Sequence, residues 1–96
     1  MPAAVRLGDL STEDPCKAPV RANNKGCVNS NINSLPIHCK THTWIPHACP
    51  GSPPHDATTI VGSPDSFAES LAIARVGDAI SCGSVCATGS PDTFVN

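Results

Sequence analysis

The chain has 96 residues, a net charge of −2 and only three aromatic side chains, Trp44, Phe67 and Phe94, in a composition that is 40% apolar. One domain with so few aromatics has a thin core, which domains of this size supplement with disulfides, a metal or a partner chain. The charge balance disfavours nucleic-acid binding, no apolar run approaches the ~20 residues of a membrane span, and ten Pro with seven Gly disfavour long helices.

In chain order, Met1-Pro2-Ala3-Ala4 lacks the basic-then-apolar layout of a secretory signal, so synthesis in a reducing cytoplasm is expected. Arg6-Leu7-Gly8-Asp9 reads as a turn and recurs as Arg75-Val76-Gly77-Asp78. Between them, Cys39-Lys40-Thr41-His42 fits the same slot in a diverged form. A second motif, Gly62-Ser63-Pro64-Asp65-Ser66-Phe67, recurs 27 residues later as Gly89-Ser90-Pro91-Asp92-Thr93-Phe94 with five of six residues kept. The stretch from Gly26 to Ser34 fits its slot earlier in the chain.

Three nearly even copies predict one domain over residues 1–96 with approximate threefold symmetry. The repeats run 2–35, 36–71 and 72–96, the last completed by the N-terminal residues, which requires the termini to lie close together. Thr59-Ile60-Val61 and Val85-Cys86-Ala87-Thr88 predict short strands. Ser66 to Arg75 has helix propensity, with Ser66 as a cap and Glu69 completing a capping box. The repeat overrides that propensity, because the β-like Thr93-Phe94-Val95-Asn96 fills the same slot, and strand is predicted.

The four His and six Cys hold the chemistry. Zinc takes about four N or S ligands at tetrahedral corners. Counted from Asp9, His42 and Asp78, Asp14 and His47 stand five residues on and Cys82 four. Equivalent loops of a threefold object meet on its axis, so these positions should converge. His55, in Pro54-His55-Asp56, lies in the long middle loop and can reach back. Cys16, two residues past Asp14, is a softer donor for a fourth position, with His42 and Asp14 as alternatives. The bland reading is three disulfides among the six Cys, with 15 connectivities and no C-x₂-C pair to guide them. No nucleophile with a base and an orienting group can be placed. A closed four-ligand site leaves no open position for water, which favours a structural metal over a zinc hydrolase.

Pro2-Ala3-Ala4-Val5-Arg6-Leu7-Gly8-Asp9, Ala72-Ile73-Ala74-Arg75-Val76-Gly77-Asp78, Ile80-Ser81-Cys82-Gly83-Ser84 and the two Gly-Ser-Pro-Asp-x-Phe blocks resemble the PAAR-repeat family. Ile37-His38 followed by Trp44 and His47 is similar to the middle of its phage-type members. The resemblance implies a cone-shaped all-β domain, metal-stabilised near its apex, that caps the trimeric β-helical spike of contractile phage tails and type VI secretion systems. It implies a metal, typically zinc, held by His and Cys, commonly three His and one Cys. Carried onto this chain it favours His47, His55 and Cys82, while Cys16 as the fourth ligand rests on its softness, with His42 and Asp14 as alternatives; iron is also accepted by such sites. It implies no catalytic residue, one copy per spike trimer, contact with a target membrane only on piercing, and a place at a baseplate tip or secretion spike. With the chain ending at Asn96, no fused toxin domain of the kind some members carry is expected. Cys27, Cys39, Cys49 and Cys86 then read as free buried thiols, and Pro2–Val5 and Leu71–Ala74 as part of the spike-facing base. The chain departs from the family pattern at Thr41-His42, at Ala72 and at the first ligand slot, where Asp14 replaces His. The alternative function is a disulfide-rich secreted inhibitor or toxin-like domain, which would show no free thiol under denaturing conditions where the spike tip would show six.

Overall fold

The computed structural model describes residues 1–13, 20–47 and 55–96, and in them every regular element is a β-strand. Three antiparallel pairs form: β1 (Asn31–Ile32) with β2 (Leu35–Pro36), β3 (Thr43–His47) with β4 (His55–Thr58), and β5 (Phe67–Ala68) with β6 (Leu71–Ala72). The β1–β2 and β5–β6 turns each place two residues at positive φ, Asn33 (53°) and Ser34 (65°), then Glu69 (49°) and Ser70 (70°). Such two-residue turns match the twist of the strands they join. Ser66 to Arg75 is therefore a hairpin. Glu69 sits at its tip rather than in a capping box, and its carboxylate accepts the Asn29 backbone N–H at 2.9 Å.

The chain ends build a third hairpin. Ala3 bridges Phe94, and the Val95 N–H donates to the Pro2 carbonyl at 3.0 Å, so Met1 and Asn96 stand where the other two arms have their turns. The three arms close into a ring. The N–H of Val5 donates to the Ala74 carbonyl, Ala74 to His38 and His38 to Val5, each at 3.0 Å. The bridges Ala4–Arg75, Ile73–Cys39 and Ile37–Arg6 repeat that cycle. The tips also reach from arm to arm: the Asn33 amide donates to Asp92 at 2.9 Å and the Asn96 amide to Asp65 at 3.0 Å. The glycine that opens each Gly-Ser-Pro slot is a matter of room. A Cβ at Gly26, Gly62 or Gly89 would lie 2.6, 2.7 or 2.6 Å from Pro36, Ala72 or Ala4 respectively.

Each arm leaves the ring through a turn closed by a backbone bond, Asp9 to Arg6 (3.0 Å), His42 to Cys39 (3.1 Å) and Asp78 to Arg75 (3.0 Å). In two turns the aspartate accepts the arginine backbone N–H, at 2.8 and 2.7 Å, and ion-pairs with the same arginine's guanidinium at 3.1 and 2.8 Å. In the third, His42 Nδ1 accepts the Cys39 N–H at 3.0 Å. The residue before the acceptor is left-handed in all three: Gly8 (φ 89°), Thr41 (78°) and Gly77 (96°). A β-branched residue there is strained by about 1–3 kcal/mol. Thr41→Gly is therefore expected to stabilise the protein by about 1 kcal/mol despite glycine's greater unfolded-state entropy, read as a raised denaturant midpoint at unchanged slope.

The strands predicted at Thr59–Val61 and Val85–Thr88 reduce to single bridges. Thr59 bridges Ile80, Val85 bridges Ala79 and Cys86 bridges Ser11. The chain changes partner every residue or two as it winds round the axis, which leaves no length for a continuous ladder. The core is two small clusters. Ala4, Cys27, Ile37, Cys39, Ala68 and Ile73 fill the space between the hairpins. Val5, Trp44, Ala57, Ala74, Ile80 and Cys86 fill the layer next to it. Ala4, Val5 and Ala74 are fully buried there, so of the segments expected at the base only Pro2, Ala3, Leu71 and Ala72 keep exposed surface near the hairpins.

Candidate metal centre

The β3–β4 pair positions two of the expected ligands. Thr43 lies opposite Thr58 and Trp44 opposite Ala57, and the register then shifts so that His47 faces His55 across the ladder. The extra residue on β3 is a bulge, a feature that re-aims side chains near functional sites. Trp44 fixes this ladder in the core. It is fully buried, and its indole N–H donates to Thr59 Oγ1 at 2.9 Å.

The same hydroxyl is 2.7 Å from His38 Nε2, and His38 Nδ1 is 2.8 Å from the Lys25 carbonyl. A carbonyl can only accept, so Nδ1 carries the proton and Nε2 accepts from Thr59. Burial pushes the His38 pKa down to about 4. His38 is thus a neutral structural residue that ties the Lys25 loop to the Trp44–Thr59 pair.

Cys82 arrives beside β4. After the Thr59–Ile80 bridge, the Ser81 N–H donates to the Thr58 carbonyl at 2.8 Å and the Thr58 N–H donates to Ser81 Oγ at 3.0 Å. A tight turn then holds Cys82, closed by Gly83 N–H to the Ile80 carbonyl at 2.9 Å with Gly83 at φ 101°. The Cys82 turn therefore lies beside the Thr58 end of β4, and His47 pairs with His55 at the other end of that ladder. Cys82 Sγ is half-buried, 2.7 Å from Nη2 of Arg21 and 3.5 Å from Ser84 Oγ. Arg21 is itself buried, and its Nε and Nη1 have no hydrogen-bond partner among the described residues. A lone arginine in a polar stretch gave no sequence signal for this contact.

Cys16 and Asp14 lie outside the described residues, as does Cys49. His42 is buried in the arm turn, where Nδ1 does the work of the aspartates, and burial lowers its pKa. Among the described side chains, no three His, Cys, Asp or Glu gather as a metal site. Cys27, Cys39, Cys82 and Cys86 are free thiols. Burial pushes Cys39 and Cys86 up to about 12 and raises Cys27, so these three behave as small apolar side chains. The donor set of two imidazoles and one thiol suits zinc.

Comparison with curated proteins found no match. The family model described as PAAR motif matches residues 20–88, a span that holds two of the three arm turns, the β3–β4 ladder and Cys82. With more than half of its length matched, this all-β chain belongs to the PAAR-motif family.

Proposed function

We propose that the protein is a non-enzymatic spike tip, one copy of which caps a trimeric β-helical spike and sharpens it for passage through a cell envelope. The observation that carries this reading is the ring of three equal backbone bonds joining Val5, His38 and Ala74. A single chain built on a threefold axis can meet three identical shaft chains with three equivalent contacts. The arms offer short strand edges and the exposed apolar residues Leu35, Phe67 and Phe94, which can continue a partner's β-structure. The tip would sit on a phage baseplate or a type VI secretion spike, assembled in the bacterial cytoplasm and touching a target membrane only on piercing.

Zinc would be held by His47, His55, Cys82 and Cys16, with iron as the other metal such a set accepts. When bound, it supplies a structural cross-link between loops that few side chains otherwise pack. Arg21 donates to the sulfur of Cys82 and so orients it toward the ion, the work of a group behind a metal ligand. Arg21→Gln is expected to weaken zinc affinity by about 10–100-fold, measured by competition with a chromogenic chelator; unchanged affinity would remove Arg21 from this role.

Co-purification with a trimeric β-helical spike fragment tests the main reading. A stable complex with one copy per three shaft chains is expected. Failure to bind, or a ratio of three to three, overturns it.

A further inference from the structure

One arm differs from the other two in its interior. In the arm closed by the chain ends, Ser90 Oγ accepts the backbone N–H groups of Asp92 and Thr93 at 3.2 and 3.0 Å, and Arg6 extends past it to the Gly89 carbonyl at 3.3 Å. In the β5–β6 arm, Ser63 Oγ accepts the N–H groups of Asp65 and Ser66 at 3.3 and 3.0 Å, and Arg75 holds the arginine position. In the β1–β2 arm both positions are cysteine. Cys27 stands in the serine slot and Cys39 in the arginine slot.

The two replacements meet. Cys27 Sγ and Cys39 Sγ are 3.7 Å apart, and both lie against the Ala68 carbonyl, at 3.9 and 4.0 Å. Both residues are buried, at 4% and 0% exposure. Reaching the ~2.05 Å of a disulfide requires the sulfurs to close by about 1.7 Å. Among the described residues this is the one pair of sulfurs in contact.

We propose that Cys27 and Cys39 form an intramolecular disulfide when the folded chain meets a small disulfide oxidant of the glutathione class. One cysteine thiolate attacks a sulfur of oxidised glutathione and releases the first reduced glutathione. The second cysteine thiolate then attacks the protein sulfur of the mixed disulfide and releases the second. The two protein thiols lose two electrons and two protons, and these appear on the two glutathione thiols. The link closes the arm that lacks the arginine–aspartate pair of its sisters. Burial slows both its formation and its reduction, so a bond once made persists. The proposal does not depend on the spike-tip reading.

The test uses the full metal-loaded protein, equilibrated with glutathione buffers of increasing oxidised fraction, acid-quenched, alkylated and cut with trypsin. No Lys or Arg lies between Gly26 and Lys40, so both cysteines fall in one peptide. That peptide is expected to lose two hydrogens and both alkylation sites. Its half-oxidation should come at an oxidised fraction about 100-fold lower than in the denatured chain, because folding raises the effective concentration of one thiol at the other. Cys27→Ser restores the serine of the other arms and should fold, leaving Cys39 in no intramolecular disulfide at any ratio, either reduced or held as a mixed disulfide with glutathione. Two alkylated cysteines throughout, oxidation no easier than in denaturant, or cross-linking to other cysteines would each overturn the proposal.

Discussion

If the proposed zinc is bound, chelating it from the purified protein at neutral pH should lower the melting temperature by about 16 °C or more. Little else is available to hold the fold. The described core is two clusters with one aromatic between them, Trp44, and 96 residues give a stability of only about 5–15 kcal/mol. Structural zinc contributes ~10–16 kcal/mol in small domains whose folding depends on it. The arm ring is made of backbone hydrogen bonds that use none of the expected ligands, so a smaller share is expected here. Even about 4 kcal/mol moves the midpoint of a domain this size by about 16–32 °C. Calorimetry before and after chelation, with metal content determined on the same samples, measures the shift. Cys82→Ser should show the same drop in the loaded protein and no further drop once the ion is gone, since both changes remove one interaction. Cobalt substitution adds a spectroscopic check, because its thiolate-to-metal band should weaken in C82S, where Cys16 would remain the one thiolate ligand. A purified protein with no metal, or a midpoint indifferent to its removal, would refute the expected site.

Where the repeats are strong, the sequence was easy to read. Arg6–Asp9 and Arg75–Asp78 keep the same four-residue turn, and the structure closes both with the same backbone bond and the same ion pair. The diverged copy was readable only in outline. Cys39 and His42 sit in the arginine and aspartate positions, yet nothing in their identities says that an imidazole nitrogen would replace a carboxylate oxygen as the acceptor for a backbone N–H. Ser66 to Arg75 shows the limit of propensity. Its Ala, Glu and Leu suit a helix, but pairing within the arm wins, and Glu69 and Ser70 accept positive φ to make the turn. The pairing of His47 with His55 follows from a bulge on β3, and a one-residue shift in register is invisible in a sequence without a second copy to compare. Arg21 was missed because its contact with Cys82 spans 61 positions and belongs to no repeat.

Acid should destabilise the protein through His38, apart from any release of the proposed metal. His38 is fully buried and neutral in the fold, and takes up a proton only near pH 4, whereas in the unfolded chain it does so near 6.5. Between those values the unfolded chain holds more protons, so falling pH favours it. The contribution is complete above about pH 6.5 and is lost as pH drops toward 4, amounting to about 3 kcal/mol over the whole window. The cause is structural: a proton on Nε2 leaves the Thr59 hydroxyl facing a donor in the core and places a charge where no carboxylate bonds the ring. His42 acts in the same direction, since a proton on Nδ1 would break its bond from the Cys39 N–H. The two ring positions equivalent to His38 are Val5 and Ala74, which makes His38→Val the natural variant. It should lose about 1–3 kcal/mol at pH 7, because the Lys25 carbonyl is left without its donor. Its stability should then fall less between pH 7 and 4.5 than the parent's, by about 2–3 kcal/mol. Chemical denaturation of both proteins at the two pH values, each loaded with the same metal, isolates this difference from the acid release of the ion. A variant that titrates as steeply as its parent would show that His38 is not the acid-sensitive group.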